Sequence, residues 1–271
     1  MQSEISAALG VSAGFDPASE AEKRIDFLRQ YLIAARLRTY VLGISGGVDS
    51  LTAGLLAQSA VRVLRENGYD SEFVAVRLPY GVQADEHHAQ LALEAIGPDR
   101  TLVVDVKPAS DAVWLEIASA GIAPDNAGER DTLLGNVKAR QRMVAQFAIA
   151  GSLRGLVIGT DHAAEAVMGF FTKFGDGAAD LLPLAGLNKR RVRAIASHLG
   201  APAELIDKVP TADLEDGAPL RPDEDVFGVS YDQIDDFLEG KQVGETAVRT
   251  IVAAYRATSH KRALPVTPSS A

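Results

Sequence analysis

Ser45-Gly46-Gly47-Val48-Asp49-Ser50 holds the residues best suited to gripping a phosphate. It follows an apolar run, Tyr40 to Leu42 and then Ile44, that suits a buried strand. It feeds a helical pattern with Leu51, Leu55, Leu56 and Val61 roughly on one face. A strand, a glycine turn and a helix start aim free backbone N–H groups at an anion. Two glycines keep Cβ atoms out of the anion's way, and Ser45 and Ser50 add hydroxyl donors. Asp49 tolerates a neighbouring triphosphate only with a cation between them, so the loop implies Mg²⁺. The sequence has neither the Walker pattern G-x-x-x-x-G-K-[ST] nor a G-x-G-x-x-G after the strand. Read without a ligand, the stretch is a tight turn in which Asp49 or Ser50 caps the helix.

Three further stretches carry chemistry. Gly159 to Glu165 reads Gly-Thr-Asp-His-Ala-Ala-Glu, and His162 and Glu165 share a face of any helix that starts there. Glu165 can hold a metal; spacing alone favours Asp161 as a helix cap with Glu165 in the first turn. Phe170, Phe171 and Phe174 surround Lys173. They form either plain core or a stacking wall for a base or pyridine ring, with Lys173 as the charge for a phosphate or carboxylate. Lys138, Arg140 and Arg142 lie on one basic helical segment, which a solvated face would explain. Lys189-Arg190-Arg191 and His260-Lys261-Arg262 are the other basic clusters, the second at a helix C-terminus, where the macrodipole favours cations.

The elements that must position these groups alternate. Strands are predicted at 40–44, 73–78, 101–106 and 156–160, and helices at 20–38, 50–66, 85–96, 109–120, 132–150, 188–199, 231–239 and 244–260. This is the spacing of βαβ units, so the expected fold is a doubly wound α/β one, a mostly parallel sheet with helices on both faces. Ligands bind such sheets beyond the carboxyl ends of the strands, where the Ser-Gly-Gly turn, Arg77 and Thr160-Asp161 would meet. Residues 1–20 read as a loosely docked arm, 170–182 and 208–230 as long loops, and 264–271 as a frayed tail of one domain spanning 1–271.

Composition narrows the partners. Of 271 residues, 47% are hydrophobic and 23% charged, enough to build a core. The net charge of −9 argues against a nucleic-acid partner. No apolar run approaches the ~20 residues of a membrane span, and Met1 to Gly14 lacks the layout of a secretory signal, so a cytoplasmic protein without membrane contact is expected. There is no cysteine, hence no disulfide, thiolate metal site or thiol nucleophile.

The Ser-Gly-Gly-x-Asp-Ser loop resembles the pyrophosphate-binding loop of the adenylating ATP pyrophosphatases, whose fold is adenine nucleotide α-hydrolase-like. The segments around Arg77-Leu-Pro-Tyr-Gly, Gly135-Asn-Val-Lys-Ala-Arg140, Gly159 to Glu165, Gly169-Phe-Phe-Thr-Lys173-Phe-Gly-Asp-Gly, Pro210-Thr211-Ala-Asp-Leu-Glu, Asp235-Asp-Phe-Leu-Glu-Gly-Lys and His260-Lys261-Arg262 narrow the likeness. Together, in order from about residue 20 to 265, they resemble ammonia-dependent NAD synthetase. Val48 departs from the pattern, since many relatives carry a polar residue there, often glutamine.

The resemblance implies ATP-driven amidation of deamido-NAD by ammonia through an acyl-adenylate, with release of AMP and pyrophosphate. It implies that Gly43, Ile44, Ser45, Gly46, Gly47, Val48, Asp49, Ser50, Arg77, Thr160, Lys189 and Thr211 contact ATP. Arg140, Phe170, Lys173, Asp180, His260 and Lys261 would contact deamido-NAD. Asp49 and Glu165 would hold Mg²⁺, and Asp49, Lys173 and Lys189 would serve catalysis. It also implies a homodimer with the deamido-NAD site at the interface. Glutamine-dependent relatives use a cysteine nucleophile in an added glutaminase domain, so a chain without cysteine is expected to take free ammonia, alone or from a separate subunit. The rivals are another adenylating enzyme of the superfamily, such as a GMP synthetase subunit or a tRNA-modifying adenylase, and a nucleotide sensor that has lost catalysis.

Overall fold

The computed structural model describes residues 1–81, 86–211, 221–263 and 265–268. Four strands, β1 (Thr39–Gly43), β2 (Glu72–Arg77), β3 (Arg100–Val103) and β4 (Gly155–Val157), form a parallel sheet in the order β3-β2-β1-β4. Val41 lies opposite Val74 on one side and Val157 on the other. Side chains alternate across the sheet. Tyr40, Leu42, Ile44, Phe73 and Ala75 face one core, while Val41, Val74, Val76 and Val157 face another.

Twelve α-helices lie among the described residues: α1 (Gln2–Ala8), α2 (Pro17–Ala35), α3 (Val48–Glu66), α4 (Glu86–Ile96), α5 (Lys107–Ser119), α6 (Ala127–Ser152), α7 (Ala163–Met168), α8 (Lys189–His198), α9 (Ala203–Ile206), α10 (Asp223–Phe227), α11 (Tyr231–Leu238) and α12 (Glu245–Ala257). The first core is closed by α2, α3, α4 and α8. The second is closed by α6, on which α5 packs. A third core joins α1, α7, α10, α11 and α12. Local signals set the boundaries. Asp16 caps α2 by accepting the Ser19 N–H at 2.8 Å, with Pro17 at the first helical position. Ser230 and Gln233 form a reciprocal capping box at α11.

Chain order gives the fold its crevice. From β1 the chain moves through α3 to β2 and through α4 to β3, then returns by α5 and α6 to β4 on the other flank of β1. The direction of winding reverses between β1 and β4, the place where open α/β sheets bind ligands.

Several expectations need correction. Residues 1–20 are not a loose arm: Ile5 is 2% exposed in the third core, and Gln2 Nε2 donates to the carbonyls of Phe237 and Lys241 at 2.8 and 2.9 Å. The partners of α1 lie more than 200 residues away, beyond any local pattern. β3 stops at Val103, although the Val104 and Val106 N–H groups still bond the carbonyls of Arg77 and Pro79. β4 stops at Val157, and Ile158 continues as a parallel bridge to Leu181. The predicted loop 208–230 contains α10; its residues 212–220 lie outside the described residues, as do residue 85 and tail positions 264 and 269–271. No helix among the described residues is long and apolar enough to cross a membrane.

Candidate active site

The elbow after β1 is held by its own hydroxyls. Ser50 Oγ accepts the Ser45 N–H at 3.2 Å and donates to the Gly47 carbonyl at 3.1 Å, while Ser45 Oγ accepts the Gly47 N–H at 3.3 Å. Gly46 has φ +85°, and a Cβ there would sit 2.7 Å from the Ala89 nitrogen of α4, so only glycine fits. Gly47, not Asp49 or Ser50, is the N-cap of α3; Asp49 lies in the first turn, where the helix dipole favours a carboxylate. Val48, the departure from the relatives' pattern, is 4% exposed and packs into the first core.

Four charged or titratable side chains converge beneath this elbow. Lys189 Nζ lies 2.7 Å from Asp49 Oδ2, 3.4 Å from His162 Nε2 and 3.9 Å from Glu165 Oε1. His162 Nε2 lies 3.4 Å from Asp49 Oδ1 and 3.5 Å from Glu165 Oε1. The N-cap of α7 is His162, not Asp161; its Nδ1 accepts the Glu165 N–H at 3.4 Å. Lys189 is delivered by the N-terminus of α8, where Asn188 is the cap and Asp235 accepts the Lys189 and Arg190 N–H groups at 3.0 and 2.7 Å.

Burial sets the electrostatics of this cluster. It works to raise the Asp49 pKa but is outweighed by the charges of Lys189 and His162, which hold that carboxyl below its ordinary range. Glu165 goes the other way: burial and the nearby Asp49 charge push it up to about 8 against the pull of His162 and Lys189. Asp161 is pushed to about 7 by burial, then by Asp176 and Asp49. Asp49, His162 and Glu165 each offer one ligand atom, all within 4.8 Å of one another. Asp49 Oδ1 is buried without a hydrogen-bond partner. An orphaned carboxylate oxygen beside a second carboxylate suits a hard divalent cation.

A cleft of about 570 Å³ opens over this cluster, within the range of small-molecule sites. Of the residues expected at ATP, Gly43, Ile44, Ser45, Gly47, Val48, Asp49, Ser50, Arg77, Thr160, Lys189 and Thr211 line it, as do Glu165, Phe170 and Lys261. Gly46 supports the turn behind the lining. Arg77 is buried; its Nη1 donates to the Ile44 carbonyl and its Nη2 meets Glu86 Oε2 at 2.5 Å. Phe170 packs edge-on against Phe227 with ring centroids 4.7 Å apart, so it serves core and wall together. Phe174, 55% exposed, is in neither.

Other expected residues stand outside the cleft. Lys173 Nζ donates to the His260 carbonyl at 2.6 Å, and Arg140 Nη2 donates to the Lys173 carbonyl at 3.2 Å, forming a cluster at the surface. Lys261 ties this cluster to the cleft through the carbonyls of Gly169 and Phe171, both at 2.8 Å. Asp180 accepts the Val157 N–H at 2.7 Å and thereby steadies the end of β4. The basic segment of α6 is not a solvated face: Lys138 is 2% exposed, over the Tyr80 ring, and Arg142 Nε donates to the Leu78 carbonyl while lining the cleft. Lys208, Arg221 and Asp223, which no motif points to, also line it. Nothing in their spacing marks them.

A family model described as NAD synthase matches residues 20–265. The chain belongs to the NAD synthase family. It is 59% identical over 266 residues to an NH(3)-dependent NAD(+) synthetase of Burkholderia cenocepacia, covering 98% of this chain and 94% of the relative. Among solved structures, an NAD+ synthetase from Burkholderia pseudomallei superposes with a TM-score of 0.84 at 57% identity, covering 97% of this chain and 96% of that one. An NMN synthetase from Francisella tularensis gives 0.81 at 34% identity, covering 94% and 99%. The α/β architecture is thus that of NAD synthase structures, with the glycine elbow and buried charges at its switch point.

Proposed function

We infer that the cleft binds ATP with its outer phosphates against the Ser45-Gly46-Gly47 elbow, leaving the α-phosphorus open to attack. The reaction is the family's: ATP-dependent amidation of deamido-NAD with ammonia to NAD, the last step of NAD biosynthesis, by a ligase that forms a C–N bond. A carboxylate cannot expel oxide when an amine attacks. The nicotinate carboxylate oxygen therefore attacks the α-phosphorus, the bond from that phosphorus to the bridging oxygen breaks, and pyrophosphate leaves. Ammonia then adds to the carbonyl of the acyl-adenylate and AMP departs. The chain positions these groups and stabilises charge; no covalent enzyme intermediate is needed.

Asp49 and Glu165 would hold Mg²⁺, which supplies positive charge against the leaving pyrophosphate. The elbow's N–H groups and hydroxyls orient the phosphates, and Lys189 holds Asp49 in place. Arg140, Lys173, His260 and Lys261 would take the far half of deamido-NAD. Arg140 lies on α6, where Leu133, Val144 and Phe147 are exposed, and Leu115 is exposed on α5, which packs on α6. Such an apolar face supports a symmetric homodimer that completes the deamido-NAD site. A cytoplasmic location fits the substrates.

The observation that carries the reading is the buried Asp49–Lys189–Glu165 cluster directly beneath a glycine elbow at the β1/β4 crevice. The test is purified protein with deamido-NAD, ATP, Mg²⁺ and ammonium, expected to give NAD, AMP and pyrophosphate in equal amounts. Formation of ADP and orthophosphate would overturn it. Because one relative is an NMN synthetase, nicotinic acid mononucleotide is run beside deamido-NAD; faster turnover of the mononucleotide would reassign the substrate.

A further inference from the structure

Among the described residues, Arg36, Arg154 and Phe174 have a positive φ without being glycine, at 55°, 53° and 61°. Arg36 and Arg154 follow the last turns of α2 and α6, where a left-handed residue commonly ends a helix. Phe174 ends no helix and sits in the turn from Thr172 to Gly177. Glycine takes this conformation freely, whereas a bulky side chain is strained in it. The turn enforces it. The Thr172 carbonyl accepts the Gly175 and Gly177 N–H groups at 2.9 and 3.3 Å. The Thr172 N–H bonds Asp176 Oδ1 at 3.0 Å, and its hydroxyl donates to Asn136 Oδ1 at 2.8 Å. Packing does not offset the strain, since the ring is 55% exposed and joins none of the three cores. Strain held at an exposed side chain points to a use outside the fold. The Lys173 ammonium stands 5.2 Å from the ring centroid, bonded to the His260 carbonyl, and Arg140 bonds the Lys173 carbonyl. An exposed aromatic face among cations suits a base attached to phosphates. Phe170 lines the cleft, where the pyridine carboxylate must reach the α-phosphorus, and Phe174 does not. A dinucleotide with its pyridine in the cleft and its phosphates on these cations still has its adenine to place outside.

We propose that Phe174 is a substrate-binding residue: its exposed ring stacks on the adenine of deamido-NAD, and the strained turn holds it in place to do so. This rests on the outer cluster being the dinucleotide site. The ring touches no reacting atom. It acts on affinity, and on the choice of a dinucleotide over a mononucleotide, rather than on the chemical step.

The experiment compares the full-length protein with Phe174→Gly, Phe174→Leu and Phe174→Trp. Phe174→Gly is expected to raise the KM for deamido-NAD about tenfold, with kcat and the KM for ATP within about twofold of the parent. Because glycine relieves the left-handed backbone, the same variant is expected to melt about 2 °C higher. Phe174→Leu keeps an apolar side chain and loses the ring, so it should show the KM rise without the gain in melting temperature. Phe174→Trp should keep the parent's KM. With Mg²⁺ and α,β-methylene-ATP present, the fluorescence this variant gains should be quenched by deamido-NAD and not by nicotinic acid mononucleotide, which lacks the adenine. An unchanged KM in Phe174→Gly, or equal quenching by the two nucleotides, would overturn the proposal. So would a lower melting temperature for Phe174→Gly, which would make the ring part of the fold. So would a loss of its rate on dilution that the parent does not share, which would make the ring a subunit contact. Lys173→Ala separates the two levels of inference. If it raises the KM for deamido-NAD and Phe174→Gly does not, only the ring's role falls. If neither does, the outer cluster is not the dinucleotide site and both fall.

Discussion

Two groups of charged residues stand where we propose that the substrates bind, and they are built in opposite ways. The inner group, Asp49, His162, Glu165 and Lys189, is drawn from three separate elements and sealed under the sheet's crevice, with His162 and Lys189 each 1% exposed. The outer group, Arg140, Lys173 and His260, lies at the surface, where the Lys173 side chain donates to the His260 carbonyl and Arg140 to the Lys173 carbonyl. Ion pairs out of water interact strongly, whereas exposed charges are weakened by solvent and salt. The inner group is thus organised before any substrate arrives. On our reading the outer group is completed by its ligand and by a second subunit. Removing an inner charge should therefore cost far more than removing an outer one.

The largest expected effect is at Asp49. Asp49→Asn should lower turnover by about 1000-fold, since it removes a charge that faces Lys189 and, on our reading, the Mg²⁺ ion. Added Mg²⁺ should not recover it. A rate within tenfold of the parent in the NAD-forming assay would break the contrast at its strongest point. Lys189→Met comes next, with a loss of about 100-fold and a gain elsewhere. In the parent, the Lys189 ammonium stands among the carboxylates a metal ion would neutralise. Its removal should destabilise the fold by about 3 kcal/mol, as breaking a buried pair does. Mn²⁺ without ATP should then raise the melting temperature of the variant and leave the parent's unchanged. Equal metal response in both proteins would show that Lys189 does not compete for the site.

At the outer group the effect should be smaller and differently placed. Lys173→Ala should raise the KM for deamido-NAD about tenfold with the KM for ATP unchanged. The parent's KM for deamido-NAD should also climb with salt, and the variant's should climb less. A defect confined to ATP kinetics would move Lys173 into the other group.

How much of this was legible in sequence follows the same division. The elbow was legible because its parts are contiguous: strand, Ser-Gly-Gly and helix start within about a dozen residues. The doubly wound sheet was legible because Val, Ile and Leu runs alternate with helical periods, although β3 and β4 ended earlier than their apolar runs did. The inner group was named only in part. Asp49 was legible in the loop as a carboxylate that calls for a cation, Glu165 as one that can hold a metal, Lys189 took its role by likeness to a family, and His162 entered only as Glu165's neighbour on a helix face. No local pattern says that positions 49, 162 and 189 share a few ångströms. Lys138 was misread as solvated because a lysine on a helix usually is; here Tyr80 covers it. The docking of α1 was missed because its contacts are with α11 at the other end of the chain.

Asp161 sits beside the inner group and gives the smallest and most exacting test of its electrostatics. Burial, and then the charges of Asp176 and Asp49, push its carboxyl up to about 7, so the folded protein prefers it protonated while the unfolded chain ionises it near the ordinary 3.8. A group raised in this way contributes its full stability below about 3.8, and the contribution is lost as pH rises through about 7. Asp161→Asn keeps the shape and never ionises. In metal-free buffer the two proteins should melt together near pH 4, and the variant should melt higher by about 2–4 °C at pH 8. A difference that stays flat with pH would mean the carboxyl is not held against its neighbours. A variant less stable at pH 8 would mean that a cation of the chain already neutralises the site, and that the inner group's field is weaker than its burial implies.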